Sequence, residues 1–164
     1  QDLYGERRLL HDGTIPAALV LGDPQFLREC DGIRLPGPSQ LIFSSADLAR
    51  SSSHEWMALG QRSQAPSGVA YALENRRIMA RVFPTMFRRS QVQRVESYIH
   101  SIGDALRAAA PTGVEDPGIV VMTPGAMSET AFEHASLAAQ LGYPLVEGSD
   151  LTVRGGHVWL RMVG

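Results

Sequence analysis

The sequence predicts a mixed α/β fold: a helical N-terminal part with a short antiparallel strand pair, then a strand–helix–strand unit closed by a β-hairpin. Three observations predict it. Apolar residues recur at helical spacing over 69–82 and 94–110. Apolar strand patterns at 119–122 and 143–146 enclose a further helical pattern. The segment 151–161 alternates apolar and polar residues around two adjacent glycines, which is typical of a hairpin.

The N-terminal segment carries weaker helix signals. The range 1–10 predicts the tail of a helix, which the following Gly13 ends. An Asp-Pro pair predicts the start of a short helix over 25–30. The glycines and prolines of 32–40 predict a loop.

Two strand patterns and two long helices follow. The patterns at 41–48 and 55–59 flank the turn-forming residues 49–54 and predict an antiparallel pair. Pro84 interrupts the first long helical pattern, because proline cannot continue a helix interior. The second long pattern, 94–110, places one set of apolar side chains on a single face: Val95, Tyr98, Ile99, Ile102 and Leu106.

The C-terminal pattern is a strand–helix–strand unit. The buried-strand run 119–122 is followed by a helix over 129–141 that Gly142 ends, and by a second strand over 143–146. Two strands joined through a helix are expected to be parallel with a right-handed crossover.

The Pro- and Gly-rich segment 111–118 predicts a linker. We therefore expect an N-terminal part over 1–117 and a small subdomain over 118–164. The first helix and the last strand both stop abruptly at the chain ends, so we expect the sequence to be an excerpt of a larger protein.

Composition limits the classes of function. With 44% hydrophobic and 20% charged residues, the chain can bury a core. A net charge of −2 gives no general attraction to nucleic acids or membranes, and no apolar run is long enough to span a bilayer. The single cysteine, Cys30, excludes an internal disulfide, fits a cytoplasmic location and is expected to be a small buried apolar residue.

The chain contains no lysine. A P-loop lysine or a Schiff-base lysine is therefore impossible within it. Any phosphate chemistry must use arginine, backbone N–H groups or residues outside this sequence.

The stretch 64–77, QAPSGVAYALENRR, is the first candidate site. Ser67 and Gly68 precede a helix, where free N–H groups and the helix dipole favour an anion. Asn75 and Arg76 lie two turns further on and reach the same ligand only across a fold of the chain. The alternative is that Ser67 caps the helix, Glu74 is solvated and the arginines pair with acids elsewhere.

Six arginines within nineteen residues, with no acid among them, form the second candidate. Guanidinium groups match phosphate and carboxylate geometry. A solvated face or an inter-domain contact is the alternative for this set: Arg76, Arg77, Arg81, Arg88, Arg89 and Arg94.

The third candidate follows the turn 123–125, where a strand feeds a helix, which is where α/β folds place ligands. Glu133 forms a capping-box pattern with Thr130 that accounts for it without any ligand. His134 has either an acid/base or metal-binding role or a structural one. Adjacent helix positions diverge by about 100°, so Glu133 and His134 are not expected to converge on one atom.

Three ordered blocks resemble one known family. The run 64–84, QAPSGVAYALENRRIMARVFP, resembles the R-T-Q-A-P-S-G-x-G-Y-A-L-E-N-R segment of circularly permuted ATP-grasp proteins. The run 3–30 resembles their Y-G-x-x-x-L-L-x-x-G-x-x-P stretch, and 121–161 resembles their T-P-G, F-E-H and L-V-E-G-x-D-L-x-V-R block. Together the blocks cover most of the chain and match an N-terminal portion of such a protein.

The resemblance implies a partial ATP-grasp-like architecture and a share in an ATP-dependent carboxylate–amine ligase, which forms an amide or peptide-like bond. ATP and Mg2+ are the implied cofactors of the full-length protein. We expect neither to bind this chain tightly, and we expect no ATP turnover by it alone. The implied partners are a small molecule or peptide bearing a carboxylate and the rest of the ATP-grasp polypeptide, with no nucleic acid and no membrane.

By analogy, residues 57–68 would lie beside the metal and the phosphates. No metal ligand is assigned within the chain. The implied catalytic residues are Asn75, Arg76, Glu133 and His134, and the implied cofactor-binding residues are Arg62, Ser67 and Gly68.

The chain departs from the family pattern at three positions. Gln61 stands where the family usually has aspartate, which removes a negative charge from a magnesium ligand. Ser128 replaces an asparagine and Ala131 an aromatic residue. Two alternatives to the ligase therefore stay open: a non-catalytic binding or scaffolding domain derived from the family, and an α/β domain without a ligand site of its own.

Overall fold

The computed structural model describes residues 2–34 and 40–161. Within them the α-helices are α1 (Arg8–His11), α2 (Ala17–Leu21), α3 (Val69–Val82), α4 (Pro84–Arg89), α5 (Glu96–Ala108) and α6 (Ala131–Leu141). The strands are β1 (Ser45–Arg50), β2 (Trp56–Arg62), β3 (Val121–Thr123), β4 (Leu145–Glu147), β5 (Leu151–Arg154) and β6 (His157–Leu160). They pair as antiparallel β1–β2, parallel β3–β4 and antiparallel β5–β6. The prediction of a mixed α/β fold is confirmed.

The predicted helix over 1–10 is wrong in extent, and its first residue lies outside the described part. Arg7 has a left-handed backbone with φ 53°, so α1 begins only at Arg8. The Asp2 carboxylate accepts hydrogen bonds from the backbone N–H groups of Arg8 at 2.9 Å and Leu9 at 3.0 Å. The bond from Leu9 is the largest cause that lowers the pKa of Asp2 from its ordinary value of 3.8.

The predicted helix over 25–30 is also wrong. Only a single 3-10 turn forms, at Arg28–Cys30. The Phe26 ring instead stacks on Tyr4, with centroids 4.8 Å apart, and this tertiary contact overrides the local helix signal. Cys30 is half-buried rather than fully buried. Of the predicted loop 32–40, residues 35–39 lie outside the described part.

The predicted antiparallel pair forms, a few residues further along than expected. A register shift follows Asp47, which pairs with Gly60 while the next residue pairs with Ala58, so Leu59 is the extra residue of a β-bulge. Every residue of β2 is exposed. Among the described residues, no part of that strand is buried under another helix or strand.

The two long helices form where the apolar spacing predicts them. Phe83 ends α3, and Pro84 occupies the first position of α4, so the predicted interruption is confirmed. In α5 the predicted apolar face is only partly buried. Ile99 is 7% exposed, whereas Tyr98 is 43% exposed and does not belong to the buried face.

The strand–helix–strand unit β3–α6–β4 is parallel, as predicted, with Val121 opposite Leu145 and Thr123 opposite Glu147. Both strands begin two residues later than the sequence pattern suggests. The hairpin β5–β6 turns at Gly155 and Gly156, whose φ values of 57° and 76° suit glycine, so this prediction is confirmed.

The core lies where α3, α5, α6 and β4 meet. Its fully buried apolar side chains among the described residues are Ala70, Ile99, Ala138 and Val146. Because these residues come from both sides of position 117, packing alone does not separate the predicted parts 1–117 and 118–164, and that division stays a prediction. In the described part no helix combines the length and the apolar character that crossing a bilayer requires.

Candidate functional site

The carboxylate of Glu133 closes the junction between α3 and α6. This side chain is 2% exposed. Its Oε1 accepts hydrogen bonds from the backbone N–H groups of Gly68 at 3.0 Å and Ala70 at 3.2 Å, and Oε2 also lies 3.2 Å from the nitrogen of Ala70. These donors lie at the N-terminus of α3, where the helix dipole favours negative charge. The helix start that the sequence marks as an anion site therefore holds an anion of the protein itself.

This contact corrects the capping-box interpretation of Glu133. Thr130 precedes α6, but no side chain caps that helix. The Thr130 hydroxyl instead lies 3.0 Å from the hydroxyl of Ser128. Glu133 is thus a cap, but for the helix that lies next to its own.

The bend before α3 remains at the surface. Gly68 has a φ of 119°, which L side chains rarely adopt, and this backbone conformation alone explains the glycine, since an added Cβ would meet nothing within 4 Å. Pro66 is buried and Ser67 is exposed. Ser67 makes no side-chain capping bond to α3, so the alternative that it is the helix cap is wrong. Its hydroxyl is accessible beside a backbone that Glu133 fixes.

Arg76 tethers the segment after α4 to α3. Its guanidinium donates to the carbonyl oxygens of Val92, at 3.2 Å, and of Gln93. It also lies 5.3 Å from the ring centroid of Phe87. All of these partners are neutral, so the positive charge of Arg76 stays uncompensated by them.

The neighbours of Arg76 are placed differently. Asn75 is exposed. Arg77 forms an ion pair with Glu74 at 3.1 Å within the same helix, so Glu74 is paired rather than only solvated. The expectation that the arginines pair with distant acids is wrong for Arg77.

His134 faces the strand side of α6. Its Nδ1 lies 2.9 Å from Oγ1 of Thr123, and the Gly125 N–H donates to the same hydroxyl oxygen at 3.2 Å. Thr123 is 8% exposed and ends β3. His134 and Glu133 therefore hold different groups, as their angular separation on the helix predicts.

Arg62 stands apart from these residues. It ends β2, and its guanidinium pairs with Asp47 of β1 at 3.2 Å. Of the predicted site residues, the structure joins Gly68 to Glu133 directly. Arg62 and His134 have other partners.

An open cleft of about 920 Å³ lies between α3, α4, α5 and α6. We call it the arginine cleft, because its charged lining consists of Arg76, Arg77, Arg88, Arg94 and Glu74. Apolar side chains, including Leu73, Phe87 and Ile99, form the rest of its wall together with Ser136 and Gln140 of α6. Four of the six arginines singled out in the sequence thus share one cavity, whereas Arg81 and Arg89 do not line it.

Several residues that build this region were not candidates in the sequence analysis. Thr123, the partner of His134, could have been identified from the T-P-G turn that ends its strand. Ser136 and Gln140 carried none, because their place in the cleft depends on how α6 packs against α3. Within the described part, no group of three His, Cys, Asp or Glu side chains is arranged to hold a metal ion.

Comparison with protein families decides the identity of the fold. The family described as circularly permuted ATP-grasp type 2 matches residues 1–164, the whole chain. The chain belongs to the circularly permuted ATP-grasp type 2 family. The Gly68–Glu133 contact and Arg76 both lie within the residues that this family match covers.

Relatives of this ATP-grasp chain are much longer than it is. It is 39% identical over 163 residues to an uncharacterized protein of Mycobacterium tuberculosis, covering 99% of the chain and 18% of that protein. A second uncharacterized protein of the same strain is 41% identical over 98% of the chain and 29% of its own length. One from a Synechocystis strain is 38% identical over 98% of the chain and 33% of its own length. The chain therefore spans a third or less of each of these relatives.

Proposed function

We propose that this chain is one part of an ATP-dependent carboxylate–amine ligase, and that it contributes the Ser67–Gly68 bend and the adjoining α3 to the edge of the phosphate site. ATP supplies the activation of the substrate carboxylate, which the amine then attacks to form an amide or peptide-like bond. Within this proposal the substrate is a small molecule or peptide with a free carboxylate, and the single Cys30 fits a cytoplasmic enzyme.

The residues of the chain fit the anionic part of this reaction and not the metal. Arginine side chains and an exposed serine hydroxyl suit phosphate oxygens. Magnesium prefers carboxylate oxygens, and the described residues offer no cluster of them. The N–H groups of Gly68 and Ala70 are already bound to Glu133. We therefore assign the magnesium ligands and most of the nucleotide pocket to the remainder of the polypeptide.

The observation that carries the proposal is the buried Glu133 carboxylate on the bend. It connects residues that are 65 positions apart. It fixes the backbone of the family-like stretch 64–77 while Ser67 stays exposed. The bend is therefore ordered before a ligand binds, and binding carries no entropic cost for ordering it. Within the proposal, Glu133 is a positioning residue. Ser67 and Arg76 are the residues of this stretch whose side chains best suit phosphate oxygens. Asn75, Arg62 and His134 remain candidate site residues.

Calorimetric titration with Mg2+-ATP tests the proposal without knowledge of the substrate. The full-length polypeptide should bind Mg2+-ATP, and Glu133→Gln should weaken that binding by about tenfold, because one displaced bend costs about 1.4 kcal/mol of positioning. Glu129→Gln, an exposed acid at the start of the same region, is the matched control and should leave the dissociation constant unchanged. Tight binding to the isolated 164-residue chain would contradict the division of labour proposed here.

A second candidate, the non-catalytic scaffolding domain, is favoured by Gln61. This residue lies in the exposed strand β2, where the family usually has aspartate. Replacing Gln61→Asp in the full-length polypeptide, with ADP release as the readout, separates the two candidates. Increased ADP release supports a weakened ligase. Absence of ADP release from both versions supports the scaffold.

A further inference from the structure

The arginine cleft carries an excess of positive charge that the side chains described by the structure do not neutralise. Glu74 is its acidic side chain, and Arg77 pairs with it at 3.1 Å. Arg76 donates to neutral carbonyl groups. Arg88 and Arg94 have no side-chain hydrogen bond or ion pair with the described residues. Three guanidinium charges therefore remain uncompensated in one cavity.

This charge is local. The whole chain has a net charge of −2, so it does not attract anions as a body. A cleft that gathers charges of one sign between low-dielectric walls concentrates the field inside it. An anion is thus drawn to this cavity and not to the surface in general.

The size and lining of the cleft fit a small organic molecule. Its volume of about 920 Å³ falls in the range of small-molecule sites, which is roughly 300–1,000 Å³. Phe87, Leu73 and Ile99 provide apolar wall, whereas Ser136 and Gln140, which are hydrogen-bonded to each other at 2.9 Å, provide neutral polar groups in the same lining. Apolar wall with convergent polar groups is the common composition of such sites.

We propose that the arginine cleft binds a small organic anion that carries at least two phosphate or carboxylate groups. The exposed Arg88 and Arg94 provide two cationic contacts, and the tethered Arg76 provides a third. The inference shares Arg76 with the ligase proposal, but its test is separate, because it measures binding to this chain in the absence of Mg2+ and ATP.

The test uses two probes, inorganic tripolyphosphate and citrate, titrated into the chain by calorimetry at low ionic strength. At least one probe should bind with a dissociation constant below about 1 mM, which corresponds to about −4 kcal/mol. Preference for tripolyphosphate assigns a phosphorylated ligand, and preference for citrate assigns a polycarboxylate. Failure of both probes to bind with a dissociation constant below about 1 mM overturns the proposal.

Paired arginine substitutions locate the binding. Arg88→Gln and Arg94→Gln should each weaken the better probe by at least about fivefold, because each removes a charge-assisted contact. Arg89→Gln, next to Arg88 on α4 but outside the cleft, and Arg81→Gln on α3 should change it less than about twofold. Equal effects at all four positions would show diffuse attraction and overturn the proposal.

A second measurement uses the unmodified chain, so it remains informative if the substituted proteins do not fold. In NMR spectra of the unmodified chain, the better probe should shift the backbone amide signals of Val92, Val95 and Gln140, which line the cleft. It should leave those of β5 and β6 unchanged. Shifts confined to residues outside the cleft would contradict the proposal even if the substituted proteins failed to fold.

Discussion

The α3–α6 junction and the β1–β2 hairpin show two different ways in which this chain is organised. At the junction, a carboxylate with 2% exposure binds the start of a neighbouring helix, where Ala70 is buried, and Ala138 of α6 is buried as well. In the hairpin, β2 exposes all its residues, including Trp56 at 68% and Leu59 at 69%. One region is stabilised by burial of polar and apolar groups. The other depends on ladder hydrogen bonds and on the Arg62–Asp47 ion pair.

This difference indicates which region stabilises the isolated chain against unfolding. A two-stranded hairpin without a covering layer is at best marginally stable in water. A helix start whose N–H groups receive a buried carboxylate is held by several interactions at once. Substitutions at the junction should therefore affect unfolding of the chain far more than substitutions in the hairpin.

The largest effect is expected for Glu133→Ala. It leaves the N–H groups of Gly68 and Ala70 without an acceptor, which should cost about 3 kcal/mol in the free energy of unfolding. Glu133→Gln should cost less, about 1–2 kcal/mol, because an amide oxygen still accepts one bond. Urea denaturation followed by circular dichroism measures both values.

Glu129→Ala is the matched control for this prediction, since Glu129 is an exposed acid near the same helix. It should change the free energy of unfolding by less than about 0.5 kcal/mol. A Glu133→Ala variant as stable as the Glu129→Ala variant would mean that the buried cap does not stabilise the junction.

An intermediate effect is expected for Gly125→Ala at the carboxyl end of β3. Gly125 has a φ of 108°, and an added Cβ would lie 3.0 Å from Oε1 of Glu147. The Glu147 side chain can move, so the backbone strain dominates and should cost about 1–2 kcal/mol. Thermal unfolding of Gly125→Ala beside Gly118→Ala, where nothing lies within 4 Å of the added Cβ and φ is not positive, measures the difference. Equal melting temperatures for the two variants would contradict the prediction.

The smallest effect is expected for Leu59→Ser in the hairpin. Because Leu59 is 69% exposed, the substitution should change the free energy of unfolding of the isolated chain by less than about 0.5 kcal/mol. In the full-length polypeptide the same substitution should cost more if further chain covers β2. A cost above about 1.5 kcal/mol in the isolated chain would show that the hairpin packs against this chain in solution.

The periodic elements were predictable because their signals are local. Apolar spacing located α3 and α5, Pro84 marked the break between α3 and α4, and two glycines located the turn of β5–β6. The helices predicted over 1–10 and 25–30 failed for a different reason. The backbone of Arg7 and the stacking of Phe26 on Tyr4 overrode weak local preferences.

The candidate site was likewise only partly predictable from the sequence. The sequence marked the start of α3 as favourable for an anion and marked Glu133 as part of a capping box on its own helix, whereas the structure joins the two to each other. It did not show that each satisfies the other, because a carboxylate three residues after Thr130 suits its own helix as well as a neighbouring one. It likewise did not distinguish Arg88 and Arg94, which line the cleft, from Arg81 and Arg89, which do not.

The sequence by itself determined where α3, α5, α6 and the two hairpins form and which family this chain resembles, since periodicity, turn residues and ordered motifs are properties of neighbouring positions. The tertiary structure alone decided that Glu133 holds Gly68, that His134 turns to Thr123, and that four arginines face one cavity. The first contact depends on how α6 packs against α3, the second on how α6 packs against β3, and the cavity on how α3, α4, α5 and α6 come together. That packing follows from the burial of side chains far apart in the chain, which no local pattern encodes.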